Sequence, residues 1–142
     1  MHIRRLATVW FVFVLVTGLS ARNHHKKHSP KNLNEAIIQL DKVYTVKNKK
    51  EIYDMTESEY ITKSSFSTGL WIRYNWGLSQ GTKLSMYFND LGIYHPNDMT
   101  AIIVHSYYRH LHNQDFDLDK QIKYYHDRRM KSQKIKDQNK NQ

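Results

Sequence analysis

Apolar residues recur at spacings of three and four through most of this chain, the period of a helix with one buried face. Leu33, Ala36, Ile37, Leu40, Val43 and Tyr44 form the first such series. Asn32 precedes it and Glu35 follows three residues on, a capping-box arrangement, so a helix is expected from Asn32 to near Val46. Lys47-Asn48-Lys49-Lys50 reads as a polar break and Glu51 to Met55 as a short helical turn. Thr56-Glu57-Ser58-Glu59 repeats the capping-box spacing and should open a helix through about Lys63. Ser67 and Thr68 are expected to cap a helix ending at Trp76, with Gly77 as its left-handed stop. Ser79 to Leu91 carries Leu84, Tyr87, Phe88 and Leu91 on one stripe and stops at Gly92.

His95-Pro96 begins the next helix, because proline suits a first turn and Asp98 suits the positive end of the helix dipole. Met99, Ile102, Ile103, Tyr107 and Leu111 line its inner face, with His110 in the stripe as a core or boundary histidine. After a loop from His112 to Phe116, Asp117 caps a last helix carrying Leu118, Ile122 and Tyr125, which dissolves into Lys, Arg, Gln and Asn after Arg129. A period of two is arguable only over Tyr60 to Phe66, and no fixed-period repeat is visible. The expected fold is all-α, a compact bundle of five to seven mostly short helices.

The N-terminus departs from this pattern. Two arginines lie within Met1 to Arg5, the eleven residues Leu6 to Val16 are apolar apart from Thr8, and Thr17 to Ala21 are mostly small. These are the three parts of a secretory signal peptide. Eleven residues reach about 16 Å as a helix, against a hydrocarbon core of about 30 Å, so a membrane-spanning anchor is disfavoured. Met1 to Ala21 is therefore expected to be removed after Ser20 or Ala21, leaving a secreted or periplasmic product without a stable membrane anchor. The chain has no cysteine, which rules out a thiol-linked lipid and any disulfide. Stability must come from an ordinary hydrophobic core.

Charge changes the picture less than its total suggests. The net charge is +9, yet residues 22–32 carry +4, residues 128–142 carry +5, and residues 33–127 carry −2. The basic charge sits in two ends flanking a slightly acidic centre, which argues against a specific nucleic-acid face. Residues 22–32 read as a flexible His/Lys-rich leader, 33–127 as the helical domain and 128–142 as a disordered basic tail.

Four of the five glycines, one of the two prolines and two of the three tryptophans fall between Gly69 and Met99. Gly69-Leu-Trp-Ile-Arg73, Asn75-Trp-Gly-Leu78, Gly81, Leu84, Tyr87-Phe88, Leu91-Gly-Ile93, His95-Pro96 and Asp98-Met99 together give a GLWIRxNWGL…YF..LGI.HPxDM pattern, followed by Gln121-Ile-Lys-Tyr-Tyr125. This resembles a bacterial, Bacteroidota-type family of small uncharacterised domains, over about half the chain from near Met55 to Asp127. Tyr74, Ser79, Lys83 and Asn97 depart from that pattern, where the family carries Asn, Trp, Arg and Asp. The resemblance implies a small domain of unknown function and brings no catalytic residues with it.

Candidate chemistry is correspondingly sparse. No nucleophile elbow, phosphate-cradling loop or His-Glu-x-x-His motif is present. On the helix after Pro96, a turn of 100° per residue places Asp98, His105 and Arg109 on one face opposite Met99, Ile103 and Tyr107. With His95 they form the candidate acid/base set for a small hydrolase or lyase, but an ordinary polar helix face is the favoured reading, because no pocket can be inferred from the sequence. Trp71, Arg73, Tyr74, Asn75 and Trp76 form the candidate binding set, since Trp, Arg and Tyr concentrate binding energy at interfaces. Arg73 is also placed to stack on an indole or pair with Asp90 or Asp98. His24, His25 and His28 in the leader are candidate ligands for weak, unselective metal binding. The principal expectation is a non-enzymatic domain that binds an unknown protein or peptide through the Trp/Arg/Tyr surface, needs no cofactor and leaves its oligomeric state open.

Overall fold

A computed structural model describes residues 29–140; the expected signal segment and the His24, His25 and His28 leader lie outside the described residues. Among the described residues there are seven helices and no strand: α1 (Leu33–Val43), α2 (Val46–Tyr53), α3 (Glu57–Phe66), α4 (Thr68–Asn75), α5 (Lys83–Asp90), α6 (Pro96–Leu111) and α7 (Leu118–Lys140). None is long and apolar enough to cross a membrane.

The caps decide the boundaries. The Asn32 side chain accepts from the Glu35 amide at 2.9 Å, while the Glu35 carboxylate accepts from the Lys31 amide at 2.9 Å. α1 ends at Val43 rather than Val46 because Thr45 starts a new helix, with a reciprocal box between Thr45 and Asn48. The Lys47–Lys50 run, expected as a break, is therefore the interior of α2; Lys47 and Lys50 are exposed, Asn48 and Lys49 half-buried, and in this helix Ile52 alone is buried. The second box, Thr56 with Glu59, opens α3 as expected. Ser67 does not cap α4: its hydroxyl donates back to the Lys63 carbonyl at 3.1 Å and closes α3. α5 begins at Lys83, later than Ser79, because Thr82 is its cap and residues 77–81 form a turn.

α4 and α5 stop alike. Gly77 (φ +58°) and Gly92 (φ +79°) take the left-handed conformation. The next amides, Leu78 and Ile93, then donate back to the Arg73 and Phe88 carbonyls at 3.3 and 2.9 Å, and both side chains are buried.

α6 is the hub and packs against all six other helices. Of its expected inner face, Met99, Ile102, Ile103 and Tyr107 are buried and Leu111 is partly buried, but Asp98, Thr100, Val104, Ser106 and Tyr108 are buried too, around the rest of its circumference. The face read as polar and solvent-facing is covered, largely by α3 and α7. His110 is exposed rather than within the stripe, 4.0 Å from Asp41. α7 runs to Lys140 where a disordered tail is expected from Arg128, since its Lys, Gln, Arg and Met residues favour helix and nothing breaks it. At the other end, packing begins before the expected leader ends: Pro30 is fully buried and the Ser29 hydroxyl donates to the Trp76 carbonyl at 3.2 Å.

Candidate functional site

The tryptophan block separates into an inner and an outer part. Trp76 is only 2 % exposed. It packs edge-on against half-buried Trp71, with ring centroids 5.6 Å apart and planes at 72°. Its carbonyl accepts from the hydroxyls of Ser29 and Thr82. Asn75 uses its amide to bond the Trp71 carbonyl at 2.8 Å. Trp76 therefore anchors the core and cannot belong to a recognition surface, and Asn75 holds the helix end.

Tyr74 points the other way and is 79 % exposed. Leu70, one turn before it on α4, is also exposed, and Phe66, one turn earlier at the end of α3, is 86 % exposed. Sequence reading missed Phe66 and Leu70, although their spacing of four with Tyr74 was visible, because the junction at Ser67 divides them between two helices. Arg73 is half-buried and makes no hydrogen bond or ion pair among the described residues; it pairs with neither Asp90 nor Asp98. It lines a groove of about 400 Å³ with Ile61, Ser65, Phe66, Ala101, Val104 and Arg128 among its walls. α4 reaches this position because Gly69 lies tight against α6: a Cβ there would sit 3.1 Å from both the Ser64 carbonyl oxygen and Thr100 Cγ2.

The acid/base set does not assemble. Asp98 is 2 % exposed and accepts from Arg128 Nη2 at 2.7 Å and from Arg129 Nε and Nη2 at 2.5 and 3.0 Å. His105 and Arg109 instead share Glu57: His105 Nδ1 and Arg109 Nε lie 3.2 and 3.3 Å from its Oε1. Arg109 also donates to Asp117 at 2.9 Å. Burial holds the His105 imidazole below its ordinary pKa, against the opposing pull of Glu57. A neutral ring whose Nδ1–H donates to the Glu57 carboxylate fits both that direction and the 3.2 Å contact. His95 spends its Nδ1 capping α6, accepting from the Asn97 amide at 3.2 Å. The Glu57 and Asp98 groupings are thus structural cross-links from α6 to α3 and α7, and His95 is a local cap. Among the described residues no group of His, Asp and Glu is arranged to hold a metal ion.

Glu57, Arg128 and Arg129 were not legible as partners. Glu57 reads as a first-turn helix residue, and the two arginines sit in what reads as a tail.

No curated protein and no solved structure matches the chain. Comparison with protein families matches residues 29–111 to the Domain of unknown function (DUF6794), so the match starts earlier than the expected Met55 and takes in α1 and α2, but stops at Leu111 before α7. Spanning more than half of the chain, from the buried Pro30 through the whole of the hub helix, that match places this protein in the family of the Domain of unknown function (DUF6794).

Proposed function

We propose that this protein is a secreted or periplasmic, non-enzymatic helical domain that binds a protein or peptide partner through an exposed surface of Phe66, Leu70 and Tyr74, flanked by Trp71 and Arg73. The observation that carries the reading is the stripe itself: three large apolar side chains at spacings of four, all turned away from the core. A cluster of this kind costs solvent-exposed apolar area without contributing to folding, and such patches commonly mark interaction sites. Aromatic and Arg side chains are also the types that dominate binding energy. The acid/base candidates His95, Asp98, His105 and Arg109 are bonded within the fold, which favours binding over catalysis. The extracytoplasmic address rests on Met1 to Ala21.

Photo-crosslinking from position 74 in the native host, followed by mass spectrometry, tests the surface. A discrete partner should appear at that position and disappear in Phe66→Ser/Leu70→Ser. The same crosslink surviving in that double variant, with its melting temperature unchanged, would remove the stripe from the proposal. N-terminal sequencing of the cellular product tests the address; a product that retains Met1 to Ala21 in the cytoplasm would overturn it.

A further inference from the structure

We propose that the groove beside the exposed stripe is a carboxylate-binding site, and that its occupant is the free C-terminal carboxylate of a partner polypeptide whose last residue is apolar. This rests on the binding reading above and sharpens it.

Arg73 is the starting point. A guanidinium is charged at any physiological pH and presents a planar fork of N–H donors. Arg73 is half-buried and has no hydrogen bond or ion pair among the described residues, so its donors are uncommitted. Asp98, the buried carboxylate of α6, has both oxygens taken by Arg128 and Arg129. Arg128 lines the same groove. It spends one Nη2 contact on Asp98 and lies over the Tyr125 ring at 5.0 Å, which leaves donors on its guanidinium unused. The groove therefore holds two guanidiniums and no carboxylate, while its other walls include the apolar side chains of Ile61, Phe66, Ala101 and Val104.

Positive charge beside apolar surface selects an anion joined to a hydrophobic group. A chain terminus with an apolar last residue meets both demands from one Cα atom. Arg forks match carboxylates in bidentate geometry, and the volume of about 400 Å³ falls in the range of small-ligand pockets, about 300–1,000 Å³. Asn97, at the start of α6, adds an amide at the rim.

Binding is tested on the full mature chain, labelled with ¹⁵N, by following the Arg73 Nε–H signal while titrating N-acetyl-phenylalanine, N-acetyl-phenylalaninamide and inorganic phosphate. The free acid should move the signal saturably, and the amide should bind at least about tenfold more weakly, as expected for loss of a charge-assisted hydrogen-bond pair. Arg73→Met should abolish the saturable response elsewhere in the groove, Arg73→Lys should retain part of it, and Arg128→Gln should weaken it less than Arg73→Met. Equal response to acid and amide, or a response unchanged in Arg73→Met, overturns the proposal. Phosphate binding as tightly as the free acid overturns the commitment to a peptide terminus. If the crosslinked partner still requires Phe66 and Leu70 while the free acid gives no response, this inference fails and the binding surface stands; if neither responds, both fail.

Discussion

Replacing Asp98 with Asn removes a charge while keeping the shape of the side chain, and the structure sets the cost. Asp98 is 2 % exposed and accepts three charge-assisted hydrogen bonds from Arg128 and Arg129. Breaking a buried pair from one side costs about 3–5 kcal/mol when a charge is stranded without water. Here the stranded partners are not buried: the side chains of Arg128 and Arg129 are 49 % and 44 % exposed, so both recover hydration. What is lost is the difference between charged and neutral acceptors, plus a favourable carboxylate in the first turn of α6, together about 2–3 kcal/mol. At about 4 °C or more per kcal/mol for a domain of this size, Asp98→Asn should lower the melting temperature by roughly 10 °C. Scanning calorimetry of residues 22–142, with Arg129→Gln and the double variant, completes a thermodynamic cycle. Arg129→Gln should cost much less in the Asp98→Asn background than in the wild type. A shift under about 2 °C for Asp98→Asn, or fully additive costs, would refute the assignment of Asp98 as the anchor of α7 and return it to the list of candidate catalytic groups.

Three further outcomes follow from the same geometry. Gly69→Ala gains up to about 1 kcal/mol of helix propensity but forces a methyl to within 3.1 Å of a backbone carbonyl and of Thr100, which is itself held by a 2.7 Å bond to the Pro96 carbonyl. A net loss of about 1 kcal/mol is expected in urea unfolding, and a gain would show that α4 can move off α6 freely. His105 has a folded-state pKa below its ordinary 6.5, so the unfolded chain binds the extra proton first; its contribution is fully present above 6.5 and is lost as pH falls through the window beneath it. Urea midpoints taken at about pH 7.5 and 5.5 should differ less in His105→Gln than in the wild type, and equal differences would exclude His105 as a source of the pH dependence. Truncation after Met130 removes only exposed side chains of α7 and should shift the melting temperature by less than about 2 °C, whereas truncation after Tyr124 removes buried Tyr125 with both Asp98 partners and should cost several times more.

The helical class was legible because the signals are local. The Asn32 and Thr56 caps, the glycine stops at 77 and 92 and the proline start at 96 are each set by residues within one turn of the boundary. Errors fell where a local signal had two readings. Lys47–Lys50 looked like a break because it is polar, yet Thr45 and Asn48 supply a cap and polarity alone does not end an exposed helix. Ser67 looked like a start and is an end. At the site, the periodicity argument correctly grouped Asp98, His105 and Arg109 on one side of α6, but a helical wheel carries no information about what covers that side. The covering groups come from 48 residues upstream for His105 and from 30 and 31 residues downstream for Asp98. Trp71 and Trp76 illustrate the same limit: five residues apart and chemically alike, one borders the surface and the other is fixed in the core.

The division of labour between the family-matched segment and α7 bears on where function resides. Residues 29–111 contain α1 to α6 and hence nearly all of the buried apolar core; among the described residues, Tyr125 is the one buried hydrophobic beyond them. Asp98 lies inside that segment, but the guanidiniums that neutralise it lie outside it, on α7. Without α7, Asp98 would face water at a helix N-terminus, a stable place for a carboxylate. It would also leave one wall of the groove, Tyr125 and Arg128, missing, while Arg73, Phe66, Leu70 and Tyr74 would keep their positions on α3 and α4. The exposed stripe and Arg73 thus lie within the matched segment, and the second guanidinium lies outside it on the C-terminal helix. A ligand that depends on Arg73 alone needs only the helices of residues 29–111 of this chain; one that needs Arg73 and Arg128 together requires α7 to be docked, which would tie recognition in the groove to the integrity of the Asp98 anchor.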